Sequence, residues 1–570
     1  MAYVITQPCC NDASCVPVCP VDCIRPTPGD PQYLNTEMLY IDPVTCIDCG
    51  ACMDACPVGA IYPEWDLTGT DVRYASINAD YFDKHPLQSK GMPNISVSTI
   101  ALPEQDQPLR VAIVGSGPAA CYAADDLLTN VHGAVEVEMF DRLPTPWGLV
   151  RAGVAPDHQR TKAVTDLFRN AAAKPALQFH LNVEIGKHLS HPELMSHHHA
   201  VIYAVGALRD RRLGVPGEDL PGSHAATEFV AWYNGHPDYA DLQFDLSGER
   251  AVVVGNGNVA LDVARILVSD PDDLAGTDIA DHALDALRHS RIREVLVLGR
   301  RGPVQAAYTT PELLALGALE GVDVVVDSQD LILDEHSRAA LEDPAAEPST
   351  VLKTELAREY STRVPDPTRK RIVLRYLASP TAVLGAGHVE AIEIARNELY
   401  RAADGSLKAR LTDRTETIET GLVLRSIGYR GAGVPGVPFD DATGTIPHRD
   451  GRVIDPQTGE SLTGVYTAGW IKRGPSGVIG TNKKCAQETV KVLLEDFLAG
   501  TLEGPASDCS REQLSALVTE RQPEVVDYRG WQAIDAAERK QGREHGRPRI
   551  KITNVKAMLE VVKVHDTSTR

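Results

Sequence analysis

Aromatic residues make up only 5% of this 570-residue chain, and beyond residue 56 cysteine almost disappears. Cys121, Cys485 and Cys509 are what remains, with no CxxC pair among them; the redox dithiol of a disulfide-reducing enzyme is thereby excluded. Long apolar runs are missing too, so no membrane insertion is expected. No basic and apolar leader opens the chain, and the expected setting is the reducing cytoplasm. Positive charge is scarce: 56 Lys and Arg stand against 78 Asp and Glu, for a net charge of -22. Nucleic acid is therefore not an expected partner, since it would need the opposite balance. The shortage is sharpest over residues 1–80, where eleven acids face only Arg25 and Arg73. Such a segment can turn an acidic face to basic residues elsewhere in the chain, to another protein, or simply to solvent.

What the first 56 residues do hold is nine of the twelve cysteines. The run Cys46-Ile-Asp-Cys49-Gly-Ala-Cys52-Met-Asp-Ala-Cys56-Pro57 has the CxxCxxCxxxCP spacing. In that spacing three thiolates wrap one iron-sulfur cluster and the fourth reaches a second cluster. A second run, Cys9-x-x-Asp12-x-x-Cys15-x-x-x-Cys19-Pro20, repeats the register with Asp12 in place of a cysteine. The crossing rule assigns Cys19, Cys46, Cys49 and Cys52 to a complete [4Fe-4S] cluster. It assigns Cys9, Cys15 and Cys56 to the other, with Asp12 at the fourth position. A carboxylate is a harder and weaker partner for iron than a thiolate, so this second site is expected to hold either a [3Fe-4S] cluster or a [4Fe-4S] cluster with a labile iron. Cys10 and Cys23 are left over. Structural zinc has no use for the two Cys-Pro endings, and disulfides do not suit a reducing compartment.

Two glycine turns follow. The apolar strand from Leu109 to Val114 runs into Gly115-Ser-Gly117-Pro-Ala-Ala120 and a helix-like stretch from Cys121 to Leu128. In this GxGxxA turn the first glycine makes the bend, the second lets the backbone approach a pyrophosphate, and the alanine permits close helix packing. The next strand, Val135 to Phe140, ends at Asp141, a carboxylate suited to a free adenosine ribose. The second turn, Gly255-Asn256-Gly257-Asn258-Val259-Ala260, is followed by a strand that ends in Gly299-Arg300-Arg301. Paired guanidinium groups suit a 2'-phosphate. FAD is therefore assigned to the first turn and NADPH to the second. A third block, from Gly464 through Gly469-Trp470 to Gly477-Val478-Ile479, can turn backbone N–H groups toward the flavin and its diphosphate. Trp470 would cover the flavin ring there, or pack in the core.

Four stretches carry a family resemblance: Pro144-Thr-Pro-Trp147-Gly-Leu149 through Asp157-His158, Gly257-Asn-Val-Ala-Leu-Asp262, Gly299-Arg-Arg-Gly-Pro303, and Trp470 through Ile479. Residues 109–490 resemble the adrenodoxin reductase-type ferredoxin-NADP+ reductases, and the front module resembles seven-iron and eight-iron ferredoxins. The whole chain thus looks like a fused ferredoxin/ferredoxin-NADP reductase. The resemblance implies FAD contacts at Ala119, Asp141, Leu149, Ile185, Trp470, Gly477, Val478 and Ile479. It implies NADP contacts at Asn256, Gly257, Asn258, Val259, Arg300, Arg301, Glu312 and Gly477. Ala315 stands where relatives often carry an acid, so no role for that acid is implied. His158 falls in a family motif near the flavin, where packing, hydrogen bonding and proton transfer are all open.

The expected architecture is a doubly wound α/β flavoprotein with two dinucleotide-binding domains, preceded by a small α+β bacterial ferredoxin-like domain. Residues 1–82 would form the two-cluster module and 83–108 a linker. The FAD domain would be split into 109–206 and 426–500 around an NADP domain of 207–425, with 501–570 an extension packed on the reductase. The expected activity moves electrons between NADPH, FAD and the clusters, and on to a ferredoxin or another one-electron acceptor protein, with no catalytic triad required. Two other readings stay open: an electron-input subunit of a larger reductase, and a redox or iron sensor. The run His197-His-His199 lacks ligand spacing for a metal. The charged stretch 327–371 has no readable function.

Overall fold

The computed structural model describes residues 2–87, 100–103, 107–506 and 509–568. In the front module, strand Tyr3–Ile5 pairs antiparallel with Ile61–Pro63, and Ile24–Arg25 with Tyr40–Ile41. The helix Arg73–Lys84 closes the module. Its buried Asn78 side chain accepts from the backbone N–H groups of Ile5 (3.2 Å) and Ile41 (2.9 Å) and donates to the Ile5 carbonyl (2.9 Å). One amide thus joins both strand pairs to the helix, in a module too small to rely on apolar burial alone.

Two larger sheets, one mostly and one wholly parallel, form the centre of the rest. The first has the strand order His448–Arg449, Arg452–Ile454, Ser461–Thr467, Ala200–Tyr203, Leu109–Val114, Val135–Asp141, Leu177–Leu181. Its last five strands are parallel, and the two at the other edge are antiparallel. The second sheet is parallel throughout: Ser223–Ala225, Leu422–Arg425, Arg250–Val254, Glu294–Leu298, Lys370–Arg375, Val322–Val326. Their central strands are continuous apolar runs, as burial on both faces requires. Each of the two glycine turns leaves the carboxyl end of such a strand. The helix after the first turn, Pro118–Thr129, begins three residues earlier than the helix-like stretch from Cys121, and the helix Asn258–Val268 follows the second turn. A three-stranded antiparallel sheet, Ala378–Leu384, Ala391–Arg401 and Glu419 back to Leu407, flanks the second domain.

Much of the segment 83–108 lies outside the described residues. Of the remainder, Asp83 and Lys84 finish the module's helix, and Ile100–Ala101 pairs in parallel with Val131–His132; these parts are regular structure rather than tether. The tail carries three helices, Arg511–Arg521, Tyr528–Glu544 and Val555–Ser568. It reaches both nucleotide domains: buried Glu538 pairs with Arg151 at 2.5 Å, and Lys551 with Asp278 at 3.1 Å. No helix among the described residues is long and apolar enough to cross a membrane. Of the three adjacent histidines, His198 is buried against Glu138 (2.5 Å), and the His199 ring accepts from the Arg110 backbone N–H (3.1 Å).

Candidate functional site

One cavity of about 1650 Å³ runs between the two sheets and under the front module. Every residue expected to contact either nucleotide lines it, as do His158 and two module cysteines, Cys9 and Cys10.

The glycines explain the shape of its walls. A side chain at Gly115 (φ +105°) would meet the Ala204 carbonyl oxygen at 2.4 Å, and one at Gly255 (φ +115°) would meet that of Ser426 at 2.1 Å. Gly257, by contrast, has open space before it, and a side chain at Gly117 would meet only the Gly148 Cα at 3.9 Å, as a backbone that must admit a diphosphate requires. The helices starting there have no side-chain N-cap, so their first N–H groups are left for an anion. Asp141 is fixed at the first turn: its carboxylate accepts from Ser116 N (3.0 Å), Ser116 Oγ (2.5 Å) and Leu143 N (2.9 Å). Burial raises its pKa. Gly477 is set by Thr481, whose Oγ1 would lie 2.3 Å from an added Cβ, and the Trp470 indole donates to the Ser476 carbonyl at 3.2 Å.

At the second turn, Arg300 is exposed and Arg301 half-buried; neither has a carboxylate partner among the described residues. Burial and the adjacent Arg300 lower the Arg301 pKa. Two uncompensated guanidinium groups at a strand end fit a phosphate dianion. Glu312 lies where the domains meet, and His158, Asp262 and Glu312 bring one ring nitrogen and two carboxylate oxygens within 4.8 Å of one another. Buried Arg265 ties this group together, bonding Asp157 (2.7 and 3.0 Å) and Asp262 (2.8 Å) and approaching Glu312 (3.7 Å). Burial, then Asp262, raises the Glu312 pKa. Asp157, Asp262 and Arg265 did not stand out in the sequence, although two of them fall inside the quoted motifs.

The cysteines form two groups. Cys19, Cys46, Cys49 and Cys52 surround a small cavity with Cys23, whose sulfur is 3.4 Å from that of Cys19. Cys56 leaves its own run and sits with Cys9, Cys15 and Asp12, each close enough to disfavour another's charge. Burial pushes the Cys9 and Cys52 thiols up to about 12 and raises Cys15 well above the usual range. The hydrogen bond with Cys23 draws Cys19 down to about 6 and raises Cys23 in turn. So many buried thiols ionise together only around cations, and the donor set therefore fits iron-sulfur clusters. The Asp12 carboxylate accepts from Ser14 Oγ and lies 3.8 Å from Lys483 Nζ. Cys10, left over in the spacing, has a backbone role: its carbonyl accepts from Gly480 N at 2.7 Å.

The module is docked on the reductase by side chains the sequence did not single out. Glu37 pairs with Lys353 (2.9 Å) and Arg73 with Glu359 (3.1 Å), and Lys84 donates to the Pro344 carbonyl (3.0 Å). Lys353 and Glu359 belong to the helix Pro348–Ser361, which gives the unreadable stretch 327–371 a task as the platform for the module.

Fold and site together define a two-nucleotide oxidoreductase with a built-in iron-sulfur module. Residues 109–296 match the family described as pyridine nucleotide-disulphide oxidoreductase, and residues 39–62 match the 4Fe-4S binding domain. A protein of Mycobacterium tuberculosis named probable ferredoxin/ferredoxin-NADP reductase is 51% identical over 568 residues, covering 98% of this chain and 94% of its own. Its counterpart in Mycobacterium leprae is 49% identical over 565 residues, 98% of each chain. The solved structure of Mycobacterium tuberculosis FprA in complex with NADPH covers 80% of this chain and 100% of its own, at 47% identity and a TM-score of 0.76. The chain belongs to the ferredoxin/ferredoxin-NADP reductase family.

Proposed function

We propose that this protein is a ferredoxin-NADP+ reductase carrying its own ferredoxin, which takes electrons from NADPH and delivers them singly to an acceptor protein in the reducing cytoplasm. The observation that carries this reading is the shared cavity: Cys9 and Cys10 of the module line the same space as both glycine turns. Residues 109–206 and 426–500 would hold FAD through Gly115, Gly117, Asp141 and the Trp470–Ile479 block, and residues 207–425 would hold NADPH through Asn256–Val259, Arg300, Arg301 and Glu312. Cys9, Cys15 and Cys56 would hold a [3Fe-4S] or labile [4Fe-4S] cluster, and Cys19, Cys46, Cys49 and Cys52 a [4Fe-4S] cluster. When bound, FAD accepts an electron pair as hydride and releases it in single electrons, which the clusters carry.

The chain's own contribution is placement. The Asp12 group adjoins the cavity assigned to FAD, held there by the Gly480 and Lys483 contacts. The other group lies toward solvent: Cys49 is exposed, and Val44 and Ile47 stand 91% and 58% exposed beside it. That surface carries Asp48 and Asp54 and no basic residue between 44 and 54, which suits a partner with a basic contact face. Anaerobic rapid mixing of the purified protein with NADPH tests the reading. Flavin bleaching followed by bleaching of the cluster absorbance is expected; a flavin that NADPH leaves oxidised would overturn it.

A further inference from the structure

The front module does more than sit near the flavin. It grips the segment 308–312 of the second nucleotide domain at two points. Gln7 Nε2 donates to Glu312 Oε1 at 3.2 Å, while Glu37 Oε2 accepts from the Thr310 backbone N–H at 2.7 Å. Thr310 is the first residue of the helix Thr310–Leu316, whose N-cap, Thr309, makes no capping bond of its own. The Glu37 carboxylate therefore supplies from another module what a capping side chain usually supplies locally. Its other oxygen pairs with Lys353, which also donates to the Tyr308 carbonyl at 3.3 Å.

The remaining contacts of this segment run to the nucleotide side. Thr309 N donates to Asn258 Oδ1 at 2.8 Å, and Asn258 Nδ2 to Thr309 Oγ1 at 3.3 Å. Glu312 Oε2 is buried, has no hydrogen-bond donor among the described residues, and has Arg265 3.7 Å away. With Gln7 removed, neither Glu312 oxygen would keep a hydrogen bond among the described residues. Gln7, Glu37, Asn258, Thr309 and Glu312 all border the common cavity.

We propose that Gln7 and Glu37 are positioning residues of the NADPH site, through which the docked ferredoxin module holds Glu312 and the Thr309–Asn258 pair in place for the nicotinamide half of the coenzyme. The proposal rests on the reading of Asn258 and Glu312 as coenzyme contacts. Coupling of this kind is reciprocal: bound NADP+ tightens the docking of the module as the docked module tightens NADP+.

The test uses the full-length holoprotein and measures the Kd of NADP+ and of 2',5'-ADP, a probe that carries the 2'-phosphate but no nicotinamide. Gln7→Ala and Glu37→Ala are each expected to raise the Kd of NADP+ about fivefold or more. Neither should change the Kd of 2',5'-ADP, and FAD and iron content should stay at the wild-type level. Gln7→Glu, which keeps the length but loses the donated bond, should behave as Gln7→Ala. Unchanged NADP+ affinity in both variants overturns the proposal, and so does an equal loss for both probes, since that would mark a general structural role. Arg301→Ala separates this from the underlying reading: if it leaves both probes unaffected, the assignment of the nucleotide site itself has failed.

Discussion

The backbone N–H of Gly480 donates to the carbonyl of Cys10 at 2.7 Å, so the residue after the Gly477–Ile479 turn is bonded to the loop that carries the first cysteine group. The fit leaves no room for a side chain: a Cβ on Gly480 would lie 2.1 Å from the Asn11 carbonyl carbon and 2.2 Å from Asp12 N. Both are backbone atoms, so the loop itself would have to move. Gly480→Ala is therefore expected to slow transfer from the flavin to the clusters by up to about a hundredfold, as misplacement by an ångström can. Flavin reduction by NADPH should be much less affected. Stopped-flow traces at flavin and cluster wavelengths check this, and parallel slowing of both steps would refute it.

Under the proposed function, Arg300 and Arg301 are expected to set the coenzyme preference. Replacing both with alanine removes two charge-assisted contacts of about 1.5 to 3 kcal/mol each, which predicts a rise in the KM for NADPH of roughly two to four orders of magnitude. Activity with NADH should hardly change. Steady-state kinetics with the two coenzymes decide it: equal losses with both would mean that the arginines shape the loop and do not read the phosphate.

Asp12 should decide which cluster the first group holds. Wild-type protein isolated under oxidising conditions is expected to show the EPR signal of an oxidised [3Fe-4S] centre, and Asp12→Cys to replace it with a second [4Fe-4S] centre. The contacts of Asp12 with Ser14 and Lys483, both on Oδ2, favour this outcome because they draw that oxygen toward partners other than iron. Eight tightly held irons in the wild type would contradict it.

His180 predicts an acid-sensitive window. Its ring is stacked on Phe140 at 4.8 Å, its Nε2 has no hydrogen-bond partner among the described residues, and burial draws its pKa down to about 4. The folded state thus keeps the ring neutral while the unfolded state takes up a proton below about pH 6.5. The stability linked to this group is complete above that pH and declines as pH falls toward about 4, by roughly 3 kcal/mol at most. His180→Phe should therefore gain in melting midpoint relative to wild type as pH goes from 7 to 5. A difference that does not vary with pH would show that the ring does not titrate in this way.

The parts of the site that could be read from the sequence are those whose contacts are local. A GxGxxA turn is built within one strand, one bend and one helix, so Gly115, Gly117, Gly255 and Gly257 announce themselves by spacing. The crossed cysteine groups are legible because both runs keep a strict register. Gln7 and Glu312 are 305 positions apart, and Lys483 and Asp12 are 471; contacts of that kind leave no periodic trace, and single polar residues on a docking face look like any solvated surface. Asp262 and Arg265 were hidden for a different reason, since they sit on the helix Asn258–Val268, where charged residues ordinarily face water.

The helix Pro348–Ser361 lies between Val322–Val326 and Lys370–Arg375, adjacent strands of the second sheet. It meets the module through side chains, Lys353 to Glu37 and Glu359 to Arg73. Recognition is thus written on the surfaces, as it would be between two separate proteins, and the covalent joint has another effect. Each reductase that is synthesised arrives with one electron carrier, in a fixed one-to-one ratio that does not depend on how much free carrier the cell holds.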